Sequence, residues 1–296
     1  YFYAMLMLTP EKFSDYELID CGDFEKIERF GKYITIRPEP QAVWSRRLSL
    51  KEWESTAHVR FIPKSSSAGS WKKLKDMPDQ WRMKYSFNKE EELVFRLGLT
   101  SFKHVGIFPE QATNWEFIYN QVKRISKNVE QPKVLNLFAY TGGASIAAKT
   151  AGADITHLDS IKQVVTWAKE NMELSGLDGI RWLVEDALTY VKREVKRGKK
   201  YNGIILDPPA YGHGPNGENW KLEEMIGEMM KGVSEILEPE NSFLVLNTYS
   251  LGFSSLIIQN LLEEHFPKRK DTATGEIYLR ATSGVVLPLG VVGRIG

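Results

Sequence analysis

The segment Asp207-Pro208-Pro209-Ala210-Tyr211 has residue types suited to binding a planar ligand that carries an amino group. Two consecutive prolines fix the backbone and remove two N–H donors, while their carbonyl oxygens remain as rigid acceptors. A carboxylate beside such a carbonyl suits an exocyclic amino group, whose two hydrogens need two acceptors. Tyr211 could then stack on a planar base. The alternative is that the two prolines only form a rigid exit from a strand.

Other short apolar runs also end in residues able to contact a ligand. After Val134–Phe138, Gly142 and Gly143 allow a sharp turn, close approach of backbone N–H groups and an anion at the next helix N-terminus. Asp159 either accepts hydrogen bonds from ribose hydroxyls or caps the following helix. Asp186 either accepts from an adenine amino group or caps its own helix. Neither pair of alternatives is resolved by these residues alone.

Alternating strands and helices are predicted to position these residues. In such a parallel sheet, ligands bind outside the carboxyl ends of the strands. The chain is predicted to end in a hairpin around Ser283-Gly284. The five apolar runs that predict the parallel strands are Val134–Phe138, Ile155–Leu158, Arg181–Val184, Gly203–Leu206 and Phe243–Leu246.

The first part of the chain has a different pattern. Tyr33–Arg37, His58–Ile62 and Leu93–Leu97 alternate like strands and are separated by turn residues. We therefore expect a small β-rich domain over residues 1–104, with a role in substrate recognition, and an α/β domain over residues 105–296. The first 50 residues contain no motif.

Composition restricts the chemistry further. The 296 residues include 39 Lys and Arg, 38 Asp and Glu, and one cysteine, Cys21. One cysteine excludes a disulfide framework, a cysteine zinc site or an iron–sulfur cluster within the chain. The even charge predicts no bulk attraction to nucleic acid or membrane. We expect no metal, no membrane span and a cytoplasmic protein, and interpret Tyr1–Leu8 as core or strand rather than a signal peptide.

The strand-end motifs together resemble those of class I S-adenosylmethionine-dependent methyltransferases, and most closely the 23S ribosomal RNA large-subunit enzymes of the I and K type. That group has N-x-F-x-Y-T-G and D-P-P-x-[FY] motifs. Its G-F-F-x-D-Q-R-x-N-R segment is similar to the stretch from Gly106 to Trp115, with Glu110 for Asp and Ala112 for Arg. The matching segments are Asn136–Ser145, Asp159-Ser160, Asp186-Ala187 and Asp207–Tyr211.

This resemblance implies a Rossmann-like, mostly parallel sheet of seven strands, in which the last hairpin supplies an antiparallel strand. It also implies S-adenosylmethionine as cofactor. Asp159-Ser160 would hold the ribose, Asp186 with Ala187 the adenine, and Asp207–Tyr211 would face the acceptor. The remaining implied cofactor residues are Asn136, Phe138, Tyr140, Thr141 and Gly142, which would hold the methionine part, Phe108 and Gln111, which would line the same pocket, and Asp207, which is thus predicted to contact both cofactor and acceptor.

The position of the only cysteine favours methylation of a nitrogen. Methylation of cytosine at C5 needs a thiolate that forms a covalent adduct. Cys21 lies far from the motifs, and Asn247-Thr248-Tyr249-Ser250 follows the fifth strand without a cysteine. Asp207-Pro208-Pro209-Ala210-Tyr211 instead resembles the [DN]-P-P-[FYW] motif of nitrogen methyltransferases, in which no covalent intermediate is needed. Asp207, Pro208, Pro209 and Tyr211 are therefore the predicted catalytic residues.

Two basic segments are candidates for RNA binding. In Arg60–Tyr85, Trp71, Trp81 and Tyr85 lie among the cations, a combination that suits unstacked RNA bases but also suits the core of a small β domain. Lys192–Lys200 either binds phosphates or is a solvated helix end. Methylation of a protein side chain or a small molecule, and nucleotide binding without catalysis, remain alternatives.

The segment from Gly212 to Gly217 is interpreted as a mobile loop able to close over the site. It contains His213, which is either an acid or base in catalysis or a solvated loop residue.

Overall fold

The computed structural model describes residues 5–65, 68–249 and 252–296. Its contacts divide the chain into two compact units. The sheet unit holds the residues up to Leu8, Thr113–Ile277 and Gly290–Gly296. The β-rich unit holds Thr9–Ala112 and Tyr278–Leu289. The ranges expected from sequence, 1–104 and 105–296, differ from this division in residues 1–8, 105–112 and 278–289.

Strand β1 (Leu6–Leu8) begins the described chain and belongs to the sheet unit. In the described part of its first segment, Thr9–Ala112, the β-rich unit contains seven strands and one short helix. A 3-10 turn at Pro109–Gln111 closes its first segment. The elements of this segment are β2 (Tyr16–Gly22), β3 (Glu25–Phe30), β4 (Tyr33–Pro38), α1 (Leu50–Thr56), β5 (Val59–Pro63), β6 (Gly69–Lys73), β7 (Gln80–Ser86) and β8 (Glu92–Gly98).

In the β-rich unit, β2 to β6 form a five-stranded sheet in chain order, and β7 pairs with β8 in a separate antiparallel hairpin. Helix α1 begins at a capping box made by Ser49 and Glu52. Its Trp53 is fully buried and packs in a cluster with Ile27 and Ile36. The predicted strand at Tyr33–Arg37 is confirmed, whereas β2 and β3 lie in the part of the chain where the sequence showed no motif.

The sheet unit contains the alternating helices and strands. Its elements are α2 (Ala112–Ile125), β9 (Lys133–Leu137), α3 (Gly143–Thr150), β10 (Asp154–Asp159), α4 (Lys162–Leu174), β11 (Arg181–Val184), α5 (Ala187–Lys196), β12 (Gly203–Leu206), β13 (Tyr211–His213), β14 (Asn219–Lys221), α6 (Leu222–Ile236), β15 (Phe243–Thr248), α7 (Ser255–His265), β16 (Thr272–Arg280) and β17 (Val286–Ile295). All five predicted parallel strands are present within a residue or two of their expected bounds.

The large sheet has eight strands in the order β1-β16-β17-β15-β12-β9-β10-β11. Strands β15, β12, β9, β10 and β11 are parallel, and β17 is antiparallel to β15. The predicted Rossmann-like fold with an antiparallel C-terminal strand is therefore confirmed. Among the described residues the sheet has one strand more than the expected seven, because Leu6–Leu8, in the segment interpreted as core or strand, pairs with β16 at the sheet edge.

Chain order reverses between β9 and β12, which are neighbours in the sheet. This is the position at which open α/β sheets bind their ligands. Strands β9 and β12 are almost wholly buried, which explains their continuous apolar runs. Their side chains share a core with helices α5, α6 and α7, including Val191, Met230 and Leu262.

Candidate active site

The loop after β9 is held in a backbone conformation that side chains rarely adopt. Phe138 and Tyr140 have φ of 55° and 48°, and Gly142 has φ of 86°. Such residues cost free energy and occur most often at functional sites. A Cβ on Gly142 would lie 2.9 Å from the Cβ of Ala168 in α4, and one on Gly143 would lie 2.7 Å from the ring of Trp115. The two glycines therefore let the loop lie against its neighbouring helices.

Asp159 joins this loop to the end of β10. Its Oδ2 accepts a hydrogen bond from the backbone N–H of Tyr140 at 2.9 Å, and its Oδ1 accepts from that of Ile161 at 3.0 Å. Burial raises the pKa of the Asp159 carboxyl, and these N–H donors partly offset the rise. Asp159 therefore fixes the loop and the residue that precedes α4, but the N-cap of α4 is Ile161, without a side-chain capping bond, so the capping alternative is wrong. Contact of Asp159 with a ribose stays a prediction.

Asp186 caps helix α5. Its Oδ1 accepts a hydrogen bond from the N–H of Thr189 at 2.8 Å. The capping alternative is therefore correct, while contact of Asp186 and Ala187 with an adenine stays a prediction. The carboxylate of the adjacent Glu185 accepts two hydrogen bonds from Arg193, from Nη1 to Oε1 at 2.5 Å and from Nη2 to Oε2 at 2.7 Å.

A small cleft lies at the carboxyl ends of β9 to β12. Six of its lining residues are among those predicted from sequence, namely Phe138, Asp159, Ser160, Asp186, Ala187 and Pro209. The others are Leu158, Glu185, Gly212, His213, Gly214 and Trp220. Ser160 is thus placed beside Asp159, and the six predicted residues come together from four separate segments.

Trp220 is a site residue that the sequence analysis missed. It is 2 % exposed, and its Nε1 donates a hydrogen bond to the carbonyl of Pro209 at 2.7 Å. Its ring lies 4.8 Å from that of Phe138. Trp220 therefore connects the loop after β9 to the Asp207–Tyr211 segment. Trp220 thereby uses one of the two lone pairs of the Pro209 carbonyl, which is one of the two proline carbonyls expected to face an acceptor.

The segment after Pro209 is not the loop that we expected. Tyr211–His213 pairs with Asn219–Lys221 in an antiparallel hairpin. The turn is stabilised by Glu218, whose carboxylate accepts from the N–H of Asn216 at 2.8 Å, and by Gly217 with φ of 90°. Trp220, in the second strand of the hairpin, is buried and so anchors the hairpin.

Tyr211 and His213 lie on one face of this hairpin. Tyr211 is 54 % exposed, and its ring centroid lies 4.9 Å from that of His213 in an edge-to-face arrangement. Both aromatic side chains are therefore accessible to a planar ligand, as expected of Tyr211. His213 lines the cleft, and a catalytic role for it stays untested.

Asp207 is held from the neighbouring strand. Its Oδ1 accepts a hydrogen bond from the Nδ2 of Asn247 at 3.0 Å. Asn247 follows the apolar part of β15 and is 1 % exposed. The sequence analysis examined Asn247 only to note that it is not a cysteine. Ser250, the last residue of that tetrapeptide, lies outside the described residues.

Asn136 and Thr141 have structural partners. The Nδ2 of Asn136 donates to Ser145 Oγ at 2.9 Å, and Ser145 Oγ lies 2.9 Å from His157 Nδ1. Burial lowers the pKa of His157 to about 3, so its imidazole is neutral. The carbonyl of Thr141 accepts from Asn171 Nδ2 at 3.0 Å. These bonds stabilise the loop from beneath, while direct contact of Asn136 and Thr141 with a cofactor stays a prediction.

Phe108 and Gln111 belong to the β-rich unit. Phe108 precedes the 3-10 turn, and its carbonyl accepts from the N–H of Gln111 at 3.0 Å. Its ring also packs against His104. Their predicted place in the cofactor pocket stays a prediction.

In the basic segment Arg60–Tyr85, two of the three aromatic residues belong to the core. Trp81 and Tyr85 are 7 % and 3 % exposed and face inward from β7. The interpretation that they stack on unpaired bases is therefore wrong. Arg82 and Lys84 alternate with them and face solvent, because successive residues of a strand point to opposite faces. Arg82 and Lys84 are therefore accessible from solvent, whereas the rings of Trp81 and Tyr85 are not.

Several cations of the segment Lys192–Lys200 are paired with acidic partners. Lys192 lies 2.8 Å from Glu228, and Arg193 and Arg197 pair with Glu185 and Glu194. Lys196 and Lys199 are exposed. The residues cover the last turn of α5 and its C-terminus, where cations favour the helix dipole. Most of this segment therefore already has a structural explanation.

Within the described ranges, no helix is both long and apolar enough to cross a membrane. The same ranges contain no group of three or more His, Cys, Asp and Glu side chains that could hold a metal ion.

The fold and the strand-end cleft define a cofactor-binding α/β protein. A family model for S-adenosylmethionine-dependent methyltransferases matches residues 57–265. Because this match spans more than half of its length, the chain belongs to that family. S-Adenosylmethionine is the cofactor of the family.

Solved structures are similar over almost the whole chain. The S-adenosylmethionine-dependent methyltransferase from Agrobacterium tumefaciens has a TM-score of 0.89 and 36 % identity, with 98 % of this chain and 93 % of that chain covered. A candidate methyltransferase crystallised with SAH, S-adenosylhomocysteine, has a TM-score of 0.72 and 18 % identity, covering 96 % and 76 %. The second likeness concerns the fold alone.

Curated relatives are similar in sequence. The ribosomal RNA large subunit methyltransferase K/L of Shewanella frigidimarina is 27 % identical over 259 residues, which are 80 % of this chain and 34 % of that protein. The same enzyme of Pseudoalteromonas atlantica is 28 % identical over 156 residues, or 52 % and 21 %. The chain thus spans a fifth to a third of the length of these relatives.

Proposed function

We propose that this chain transfers a methyl group to a nitrogen of a base in RNA, with ribosomal RNA as the first candidate. The observation that carries the proposal is the arrangement at the end of β12. There Asp207 is fixed by Asn247, Pro209 is fixed by Trp220, and Tyr211 is exposed beside them. A rigid carboxylate with a neighbouring carbonyl and an accessible ring suits a planar amine.

The cleft fits the cofactor of the family. Phe138, Leu158 and Ala187 supply apolar wall, and Asp159 supplies a carboxylate with more than one acceptor position. Asp159 and Ser160 would hold the ribose hydroxyls, Asp186 and Ala187 the adenine, and the loop from Asn136 to Gly142 the methionine part. When bound, S-adenosylmethionine supplies a methyl group whose bond to sulfur breaks as the nitrogen lone pair bonds to the carbon.

Asp207 would orient the acceptor nitrogen and receive or direct its proton. The second N–H would be accepted by a proline carbonyl, either that of Pro208 or the second lone pair of that of Pro209, whose first lone pair accepts from Trp220. Tyr211 would hold the base plane so that the lone pair points at the methyl carbon. Orientation of this kind supplies a large part of the rate because the reacting atoms must approach in line within about 3–3.5 Å.

The state of Cys21 argues against the C5 route. Its side chain is fully buried in the β-rich unit. Burial and the charge of Asp20 raise the pKa of the Cys21 thiol to about 12, so it is a thiol at neutral pH. A covalent adduct needs a thiolate. The chain has no other cysteine, so the chemistry must proceed without one.

The choice of RNA is supported by the curated relatives, which are ribosomal RNA methyltransferases. Four exposed cations would contact phosphates. They are Lys72 of β6 and Arg82 of β7 in the β-rich unit, and Lys196 and Lys199 in the sheet unit. Substrate recognition by the β-rich domain and a cytoplasmic location are parts of the same proposal.

The test is transfer of a labelled methyl group from S-adenosylmethionine to ribosomal RNA from a strain lacking the protein. We expect label in RNA with the natural chain and at least a hundredfold less with Asp207→Asn. Cofactor affinity should change by less than about threefold in this variant, because the cleft residues are intact. Arg82→Ala serves as a control for general RNA contacts and should raise KM without lowering kcat.

Three outcomes would overturn the proposal. Label in protein or small molecules but not in RNA would favour the alternative substrate classes. Cofactor binding with no transfer to any acceptor would favour a nucleotide-binding module. A large loss of cofactor affinity in Asp207→Asn would reassign Asp207 to the cofactor.

A further inference from the structure

Asn247 occupies a position that the register of the sheet makes informative. Strands β12 and β15 are parallel, and Leu206 is aligned with Leu246. Asp207 and Asn247 each follow this pair, so their side chains emerge next to each other on the same face of the sheet. The 3.0 Å bond from Asn247 Nδ2 to Asp207 Oδ1 is the result.

Only one end of the Asn247 amide is satisfied. Its Oδ1 is buried and has no hydrogen-bond partner among the described residues. A buried carbonyl without a partner is costly, so an asparagine placed only for stability should bond at both ends. Here the donor end bonds to Asp207, and the acceptor end adds nothing to the folded chain.

We propose that Asn247 is a positioning residue, whose Nδ2 holds the Asp207 carboxylate in the orientation required for the acceptor nitrogen. This inference rests on the proposed function and assigns to Asn247 a task in the same site. A carboxylate can rotate about its last bond, and a fixed donor on Oδ1 restricts this rotation and so helps to set the direction of Oδ2. The effect should therefore appear in the rate of the chemical step and not in cofactor binding.

Two single variants and one double variant test this proposal. Asn247→Leu removes the donor at similar volume, and Asn247→Asp replaces it with a like charge beside Asp207. We expect kcat to fall at least tenfold in both variants, with the KM for the cofactor and its measured Kd changing less than threefold. Misplacement of a catalytic group by about 1 Å is sufficient for such a loss.

The double variant Asp207→Asn with Asn247→Asp separates positioning from stability. It exchanges the amide and the carboxylate and so rebuilds the hydrogen-bonded pair. We expect it to recover the melting temperature lost in Asn247→Asp while kcat stays at least a hundredfold low, as in Asp207→Asn alone, because the carboxylate is then on the wrong strand. A purely structural pair would recover both quantities.

Thr248→Val is the matched control. Thr248 is the next residue of the same strand, is equally buried, and its Oγ1 also has no hydrogen-bond partner among the described residues. Its near-isosteric replacement should leave kcat within twofold. An unchanged kcat in folded Asn247→Leu would overturn the inference, as would recovery of kcat in the double variant.

Failure of the two proposals can be told apart. If the natural chain methylates no RNA, the proposed function fails before any variant is compared, and the Asn247 series is then run on whichever acceptor is methylated. If no acceptor is found, the inference about Asn247 fails together with the function on which it rests. If RNA is methylated and Asn247→Leu is as active as the natural chain, only the inference about Asn247 fails.

Discussion

Replacing Gly142 with alanine tests whether the loop after β9 depends on a close approach to its neighbours. The new side chain would sit at φ of 86°, which costs an L-residue roughly 1–2 kcal/mol. Its Cβ would also lie 2.9 Å from the Cβ of Ala168, and overpacking of this kind costs about 1–3 kcal/mol. Alanine also has fewer conformations than glycine in the unfolded chain, which offsets about 0.4–1 kcal/mol of this destabilisation. We therefore expect Gly142→Ala to destabilise the fold by about 2–3 kcal/mol.

Gly152→Ala provides the matched comparison. Gly152 has φ of 103°, and a Cβ there would meet nothing within 4 Å. Its substitution isolates the backbone cost, which we expect to be about 1 kcal/mol or less. The difference between the two variants in urea unfolding measures the contact with Ala168. Equal free energies of unfolding would refute the argument that close packing requires the glycine.

Cofactor binding to the same two variants completes the test. Gly142 lies in the loop proposed to hold the methionine part, whereas Gly152 follows α3 at its far end. We expect Gly142→Ala to weaken S-adenosylmethionine binding at least tenfold in calorimetry, and Gly152→Ala to leave it within twofold. Equal affinities would remove this loop from the cofactor site.

Two further predictions concern the β-rich unit. Cys21→Ala should leave kcat within twofold while lowering stability by about 1 kcal/mol, because Cys21 acts only as a small buried side chain; loss of methyl transfer in the folded variant would revive a covalent route. Burial raises the pKa of Glu28, but the charges of Arg37 and Lys26 outweigh it and lower that pKa below its usual value. The stability supplied by ionised Glu28 is thus present above about pH 4.3 and lost as pH falls through the lowered pKa. Glu28→Gln should cost about 3–5 kcal/mol at pH 7 and progressively less in acid, as measured by urea unfolding; the same cost at pH 7 and in acid would contradict this reasoning.

The sequence predicted the sheet unit well because its signals are local. Each parallel strand is a short apolar run that ends in a polar or glycine residue, and sheet topology brings those ends together. Phe138, Asp159, Asp186 and Pro209 therefore line one cleft, as expected. The family motifs supplied the roles that apolar periodicity alone could not.

The missed features depend on contacts between distant segments. Trp220 and Asn247 act through Pro209 and Asp207, and these partners are 11 and 40 residues away along the chain. No local pattern encodes such a pair before the register of the strands is known. Residues with these roles can be found only once the strands are aligned.

In the β-rich unit the pattern was present but open to two interpretations. Gln80–Ser86 alternates polar and apolar residues, so Trp81 and Tyr85 fall on the inner face. Strands β2 and β3 were harder to predict because their buried positions include Asp20, Lys26 and Glu28. Lys26 pairs with Glu28, and Asp20 accepts hydrogen bonds from backbone N–H groups and Trp53, but in a sequence such residues look like surface residues.

Nucleoside mass spectrometry of ribosomal RNA from a deletion strain and its parent tests the central claim most directly. The account predicts that one nucleoside methylated on a base nitrogen disappears from the deletion strain and returns when the natural chain is supplied, but not when Asp207→Asn is supplied. Identical profiles in the two strains would contradict the choice of ribosomal RNA. Loss of 5-methylcytidine would contradict nitrogen methylation without a cysteine adduct.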